Sequence, residues 1–102
     1  MGLQEDLENK LKAALRDPEK NQSYRYLGTT GDTTATIALI ERDIRAAIAA
    51  NVPELRLLSV AAKADNGRIS YELNLDSLVR VLGYDGSVKY DGVAQYRGYI
   101  YR

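Results

Sequence analysis

The pair Asn66-Gly67 is the feature that most constrains the fold, because it separates two runs in which apolar and polar residues alternate. Asn-Gly favours a two-residue β-hairpin turn, since both residues tolerate positive φ. Folding the chain at this pair predicts strands over residues 55–64 and 68–75. The predicted apolar face pairs Ala64 with Ile69, Ala62 with Tyr71, Val60 with Leu73, and Leu58 with Leu75. Because the other face is mostly polar, we expect a sheet that helices cover on one side.

Two amphipathic helices are predicted before the hairpin. The first has leucine at every fourth position and should end near Arg16, because Pro18 disfavours helical geometry at the residue before it. It packs on its own domain or docks on a partner. The second spans about residues 34–50, and Asn51 is expected to end it in a left-handed conformation. The apolar stripes consist of Leu3, Leu7, Leu11 and Leu15 in the first helix and Ile37, Ile40, Ile44 and Ile48 in the second.

Three connecting segments are less regular. Residues 24–27 read as a short extended segment or edge strand. Residues 28–34 contain two glycines but lack the spacing of a phosphate-binding loop, so we expect a turn that leads into a helix cap with Asp32, Thr33 or Thr34. Residues 76–83 fit either a short helix or a further strand, and we slightly favour a short helix or turn that redirects the chain.

The C-terminal residues repeat a Tyr-x-Gly phrase with a period of six, beginning at Tyr84, Tyr90 and Tyr96. Even spacing places such rings on one side of an extended chain. The segment either folds back as strands of its own sheet, with its rings over the core, or lies against a neighbouring subunit. Tyrosine and arginine are favoured at interfaces. The candidate partner-binding residues are Tyr84, Tyr90, Tyr96, Arg97, Tyr99, Tyr101 and Arg102.

Composition limits the chemistry that is open to the chain. Its 102 residues have a formal net charge of zero and include neither His nor Cys. Imidazole general bases, thiol nucleophiles and thiolate metal sites are therefore excluded, and no charge excess points to nucleic acid. Carboxylates such as Glu54 with Asp65 or Glu72 could form a catalytic pair, but nothing in the sequence brings them together in a pocket. We therefore expect no enzyme, and no catalytic, metal or cofactor site.

These elements predict an α+β fold in which two helices pack on a small antiparallel sheet built around a hairpin, with an extended β-prone C-terminal tail. We expect a single domain over residues 1–102. It would consist of an N-terminal helix at 1–16, a helix-plus-hairpin core at 34–83 and a Tyr/Gly-rich extension at 84–102.

Residues 34–76 carry a more specific pattern. The isoleucine helix is followed by Pro53-Glu54-Leu55-Arg56-Leu57, which opens an alternating strand, then by an acidic-glycine turn and a second alternating strand. This arrangement resembles the sheath-initiator, or baseplate-wedge, family of contractile phage tails and related injection machines. The resemblance implies a structural protein at the junction of tail and baseplate that offers strands to neighbouring subunits.

The expected function is therefore assembly. The chain would be a non-enzymatic phage tail or baseplate component that joins neighbouring subunits by strand addition. Its partners would be protein subunits, either copies of itself or other components of an oligomer or larger complex, with no nucleic acid and no membrane insertion. It would be made in the cytoplasm and become virion-associated. The alternative is a small glycan- or protein-binding module that uses the Tyr-x-Gly tail.

Overall fold

The computed structural model describes the backbone of residues 5–29, 34–65, 67–77, 81–82, 88–90 and 93–101, and the side chains of 5–29, 34–64, 67–76 and 96–100. The helices are α1 (Glu5–Arg16) and α2 (Thr34–Asn51), with a 3₁₀ helix at Gln22–Tyr26 between them. The strands are β1 (Leu55–Asp65), β2 (Arg68–Ser77), β3 (Val81–Leu82), β4 (Val88–Tyr90) and β5 (Val93–Tyr101).

The hairpin prediction is confirmed, with one correction. β1 and β2 are antiparallel, and Ala64–Ile69, Ala62–Tyr71 and Val60–Leu73 are paired as predicted. Gly67 has a φ of 107° as the turn requires, while Asn66 lies outside the described residues.

The predicted pairing of Leu58 with Leu75 is wrong. The register shifts between Leu57 and Ser59, so that Leu57 faces Leu75 and Leu58 is the extra residue of a β-bulge. Leu58 is consequently 45% exposed instead of joining the core. The simple two-residue alternation of the sequence does not reveal this irregularity.

The end of the Tyr-rich tail belongs to the chain's own sheet. β5 pairs antiparallel with β2, which gives the three-stranded order β1-β2-β5 with β2 in the centre. The register sets Ile100 opposite Ile69, Gly98 opposite Tyr71 and Tyr96 opposite Leu73. β3 and β4 form a separate two-stranded sheet. For residues 93–101, the fold-back alternative is therefore the observed one.

The helices cover one face of this sheet, which confirms the α+β prediction. Residues of α1, α2 and all three strands form one buried cluster, and the 1% exposed Ile100 carries β5 into it. The first helix thus packs on its own domain, with its end at Arg16 as predicted, whereas Leu3 lies outside the described residues. The largest buried helical side chains are Leu11 and Leu15 of α1 and Ile40, Ile44 and Ile48 of α2.

Residues 24–27 do not form the predicted extended segment, because most of them lie in the 3₁₀ helix. Buried Asn21 caps it: its side-chain oxygen accepts from the Ser23 backbone N–H at 3.1 Å, and its amide donates to the Leu15 carbonyl at 2.9 Å. Arg25 donates to the 7% exposed carboxylate of Asp43 at 2.8 Å. These long-range contacts override the β propensity of the segment.

Two further local predictions are wrong. Asn51 is the last residue of α2, and no described non-glycine residue has a positive φ. Its side chain donates to the Ala47 carbonyl at 2.8 Å, which satisfies one of the unpaired carbonyls at the helix end. The favoured helix at residues 76–83 is also absent where the chain is described, because β2 runs to Ser77 and β3 covers Val81–Leu82.

Candidate functional site

The exposed surface of β5 is the candidate site, because the tail residues predicted to bind a partner separate there onto two faces. Tyr96 lies on the core side, half-buried, with its ring centroid 6.1 Å from that of Tyr71. Arg97 and Tyr99 lie on the outer face, away from the helices, and Tyr99 is 53% exposed. The outer face of β5 therefore presents a guanidinium and a phenol ring side by side along the strand.

The remaining candidates from the sequence are described less fully. Tyr90 lies in β4 and Tyr101 in β5, where only the backbone is described. Tyr84 and Arg102 lie outside the described residues. Their assignment to partner binding stays a prediction.

Gly98 allows Tyr71 to reach across the strand beneath Tyr96. A Cβ atom at Gly98 would lie 2.5 Å from the Tyr71 hydroxyl oxygen and 2.7 Å from its Cζ, well inside contact distance. Tyr71 is only 4% exposed, and burial raises the pKa of its hydroxyl, with the neighbouring Tyr96 adding to the effect. The glycine of the third Tyr-x-Gly phrase is thus explained by packing within the domain.

Two backbone groups on the outer edge of β1 are bonded to side chains of α2. The Glu41 carboxylate accepts from the Ala62 backbone N–H at 3.2 Å, and Arg45 donates to the Leu57 carbonyl at 3.3 Å. Both backbone groups must point away from β2 to make these contacts. Such contacts obstruct the addition of another strand at Leu57 and Ala62.

Among the residues that the structure describes, none caps the outer edge of β5 in this way. Ala62 points its N–H away from β2, so Ala62 and its partner Tyr71 do not exchange backbone hydrogen bonds. In an antiparallel ladder, the backbone N–H and C=O of Tyr71 then point the other way, to Gly98 on β5. Arg97 and Tyr99, which flank Gly98, then direct their own N–H and C=O groups away from the sheet. Within the described part of the chain, these groups have no hydrogen-bond partner. β5 is therefore an open pairing edge.

A shallow concavity of about 440 Å³ covers the outer face of the sheet and reaches this edge. We call it the outer-face concavity; its charged lining residues are Lys63, Arg68, Glu72 and Arg97. Glu72 forms an ion pair with Arg97 at 3.3 Å, and the Arg68 guanidinium lies 4.8 Å from the centroid of the Tyr99 ring. Among the described side chains, three cations and one carboxylate line this concavity, so they give it a basic surface although the whole chain has no net charge.

A second concavity, of about 400 Å³, lies between α1 and β5 on the other side of the same edge. We call it the edge groove; it is lined by α1 and β5 and shares Arg97 and Tyr99 with the outer-face concavity. Its lining residues are Glu8, Lys12, Arg16, Tyr71, Tyr96, Arg97, Gly98 and Tyr99. Lys12 pairs with Glu8 at 3.4 Å, whereas Arg16 has no ion-pair partner among the described residues. The open backbone of β5 thus runs between two concave surfaces.

Sequence reasoning missed the residues that give the two edges their different character. Glu41 and Arg45 stand four positions apart on the polar side of α2, and nothing in that spacing reveals that they reach β1. Lys63 and Arg68 flank the hairpin turn, so their approach to Arg97 depends on where β5 pairs. The alternation of Arg97 with Tyr96 and Gly98 was the only available signal.

The carboxylates considered for catalysis are not brought together. Glu54 pairs with Lys10 of α1 at 2.8 Å, and this contact lowers the pKa of Glu54. Glu72 pairs instead with Arg97 on the outer face, and the side chain of Asp65 is not described. Among the described residues, no three acidic side chains are grouped so as to hold a metal ion. The same residues include no helix with the length and apolarity of a membrane span.

Comparison with known proteins gives one informative relationship. No protein-family model and no curated protein sequence matches the chain. A solved structure from Geobacter sulfurreducens, described as a "putative tail lysozyme", has the same fold, with a TM-score of 0.60 and 19% sequence identity. The alignment covers 100% of this chain and 97% of that one. At this identity the likeness establishes the shared fold alone.

This comparison changes two expectations from the sequence. The expectation that the protein is not an enzyme is contradicted, because a protein with the same fold over its whole length is named a lysozyme. Membership of the sheath-initiator family is not shown, since no family model matches and the matching structure establishes the fold alone. The sequence pattern that suggested the family, a helix followed by a hairpin, is common to many α+β domains.

Proposed function

We propose that the protein is a component of a tail-like assembly and that it binds a neighbouring subunit by accepting a strand along the open edge of β5. The added strand would bond to the outward backbone groups of Arg97 and Tyr99. Strand addition of this kind draws affinity from backbone hydrogen bonds and specificity from alternate side chains.

The difference between the two sheet edges carries this proposal. Glu41 and Arg45 bond to two outward backbone groups of β1, whereas no outward group of Arg97 or Tyr99 on β5 has a partner among the described residues. Soluble proteins commonly cover, shorten or charge an edge that must remain unpaired. A nine-residue edge strand left open beside two concavities fits a surface that a partner completes. The word "tail" in the name of the structure with the same fold supports the kind of assembly.

A proline at position 97 tests the proposal. Arg97→Pro removes the outward N–H and places a ring where the added strand would lie, but it breaks no bond to β2 because that N–H faces away. We expect the variant to keep its fold, as judged by circular dichroism, and to be lost from sedimented tail-like particles of the producing cell. Arg97→Gln, which keeps the N–H, is the matched control and should largely remain. Normal incorporation of the folded proline variant would refute strand addition at β5.

Because the structure with the same fold is described as a "putative tail lysozyme", glycan binding or cleavage is the second candidate function. Glycoside hydrolysis uses two carboxyl groups beside the scissile bond, and rings such as Tyr99 suit the flat faces of sugars. Glu72 is the described carboxylate that shares the outer-face concavity with Tyr99. Purified protein should then clear a suspension of bacterial cell walls, and Glu72→Gln should abolish the clearing while leaving the fold intact. An unchanged suspension, with no retention of the protein on insoluble murein, would remove this candidate.

A further inference from the structure

We infer that the strand accepted by β5 is acidic, with carboxylates at the alternate positions that face outward beside Arg97 and Tyr99. This inference rests on the proposed function, because it names the chemistry of the segment that the β5 edge would take up. The occupant is an extended protein segment of a neighbouring subunit.

The charges around the edge support an acidic segment. Among the described side chains that line the outer-face concavity, Lys63, Arg68 and Arg97 are the cations and Glu72 is the one carboxylate. Glu72 pairs with Arg97 from the β2 side, and both side chains are more than half exposed, so the guanidinium keeps donors for a second carboxylate on its open side. Arg97 lies on the edge strand itself and the Arg68 guanidinium lies over the Tyr99 ring of that strand, so two of the three cations are close to where an added strand would place its outward side chains.

The register of an added strand follows from the direction of the β5 backbone. Arg97 and Tyr99 would form the hydrogen-bonded pairs, and their side chains point to the outer face. Residues opposite these two positions would point to the same face, since directly opposed residues share a side. Carboxylates two residues apart on the added strand would thus lie beside the Arg97 guanidinium and beside Tyr99. The Arg68 guanidinium lies over the ring of Tyr99. The residue between the two carboxylates would point into the edge groove opposite Gly98.

Two synthetic peptides distinguish the partner's chemistry from strand addition itself. One alternates Glu with Val over seven residues, and the other replaces each Glu with Lys. Each is titrated into the intact protein at low salt while NMR follows the shift and hydrogen exchange of the Arg97 and Tyr99 amides. We expect the Glu peptide to slow exchange at both amides and to bind roughly tenfold more tightly than the Lys peptide, since opposite charges stabilise and like charges destabilise cross-strand pairs.

A matched pair of variants locates the preference. Arg97→Gln should reduce the preference for Glu over Lys to roughly threefold, because one of the cross-strand charge pairs is lost. Arg56→Gln removes the corresponding outer-face arginine on the other edge strand, where Arg56 pairs with Asp76, and should leave the preference unchanged.

Each outcome decides between the two claims. Equal protection by both peptides would overturn the acidic partner and leave strand addition standing. No protection by either peptide would refute strand addition and the acidic partner together. Binding of the Glu peptide without slower exchange at the two amides would show charge attraction alone and would likewise overturn the inference.

Discussion

Gly98→Ala is the substitution that tests most directly how the tail is built into the domain. Gly98 has no positive φ, so alanine meets no backbone strain there, and the three atoms nearest to its Cβ would all belong to Tyr71. The new Cβ would lie 2.5 Å from the Tyr71 hydroxyl oxygen and 2.7 Å from its Cζ. Tyr71 is 4% exposed and stacked on Tyr96, so its ring has little room to withdraw. The substitution therefore forces a shift in a packed cluster.

The expected cost follows from two opposing effects. Overpacking of a core usually costs about 1–3 kcal/mol. Alanine recovers about 0.4–1 kcal/mol, because it restricts the unfolded chain more than glycine does. We therefore expect Gly98→Ala to lower the free energy of unfolding by about 1–2 kcal/mol in urea denaturation. Isolated glycine-to-alanine changes in strands without a clash should go the other way.

A double-mutant cycle with Tyr71→Leu provides the control. Leucine lacks the hydroxyl and ring atoms that crowd position 98, so Gly98→Ala in that background should be neutral or stabilising. The coupling free energy should fall in the range of about 0.5–3 kcal/mol that is usual for residues in contact. If Gly98→Ala raises the stability of the parent, or if the cycle shows no coupling, then β5 does not pack against Tyr71 as described.

Four further outcomes are expected. Ile44→Ala should cost about 2–5 kcal/mol in denaturant unfolding, as for other fully buried sites, and a loss below about 1 kcal/mol would contradict the packing of α2 on the sheet. Leu57→Ala should destabilise the fold more than Leu58→Ala, whose effect on the free energy of unfolding should stay within about 0.5 kcal/mol. The reverse order would contradict the assignment of a β-bulge at Leu58. Gly67→Val should lower the urea midpoint, since a β-branched residue resists a φ of 107°, and an unchanged midpoint would mean that the turn is misassigned. Burial raises the pKa of the Tyr71 hydroxyl in the folded state, so the hydroxyl ionises more readily in the unfolded chain. The contribution of the neutral hydroxyl to the free energy of unfolding is therefore complete below about pH 10 and is lost as the pH rises further. The parent protein should lose stability above about pH 10 faster than Tyr71→Phe does.

The sequence by itself determined the elements whose signals are local. Asn66-Gly67 fixed the centre of the hairpin, and the alternation on both sides fixed most of its register, because a slip of one residue would move every apolar side chain to the wrong face. Pro18 and the leucine spacing placed the end of α1 at Arg16 in the same way. Each of these features depends on residues that are neighbours along the chain.

Tertiary structure decided everything that depends on contacts between distant residues. The buried Asp43 carboxylate binds Arg25 and helps to hold Gln22–Tyr26 as a 3₁₀ helix, although the two tyrosines of that segment favour a strand. The pairing of β5 with β2 set Arg97 on an open edge, and the reach of Glu41 to Ala62 closed the opposite one. No local pattern encodes which edge is capped, because that depends on where a helix side chain meets a backbone group 21 residues away.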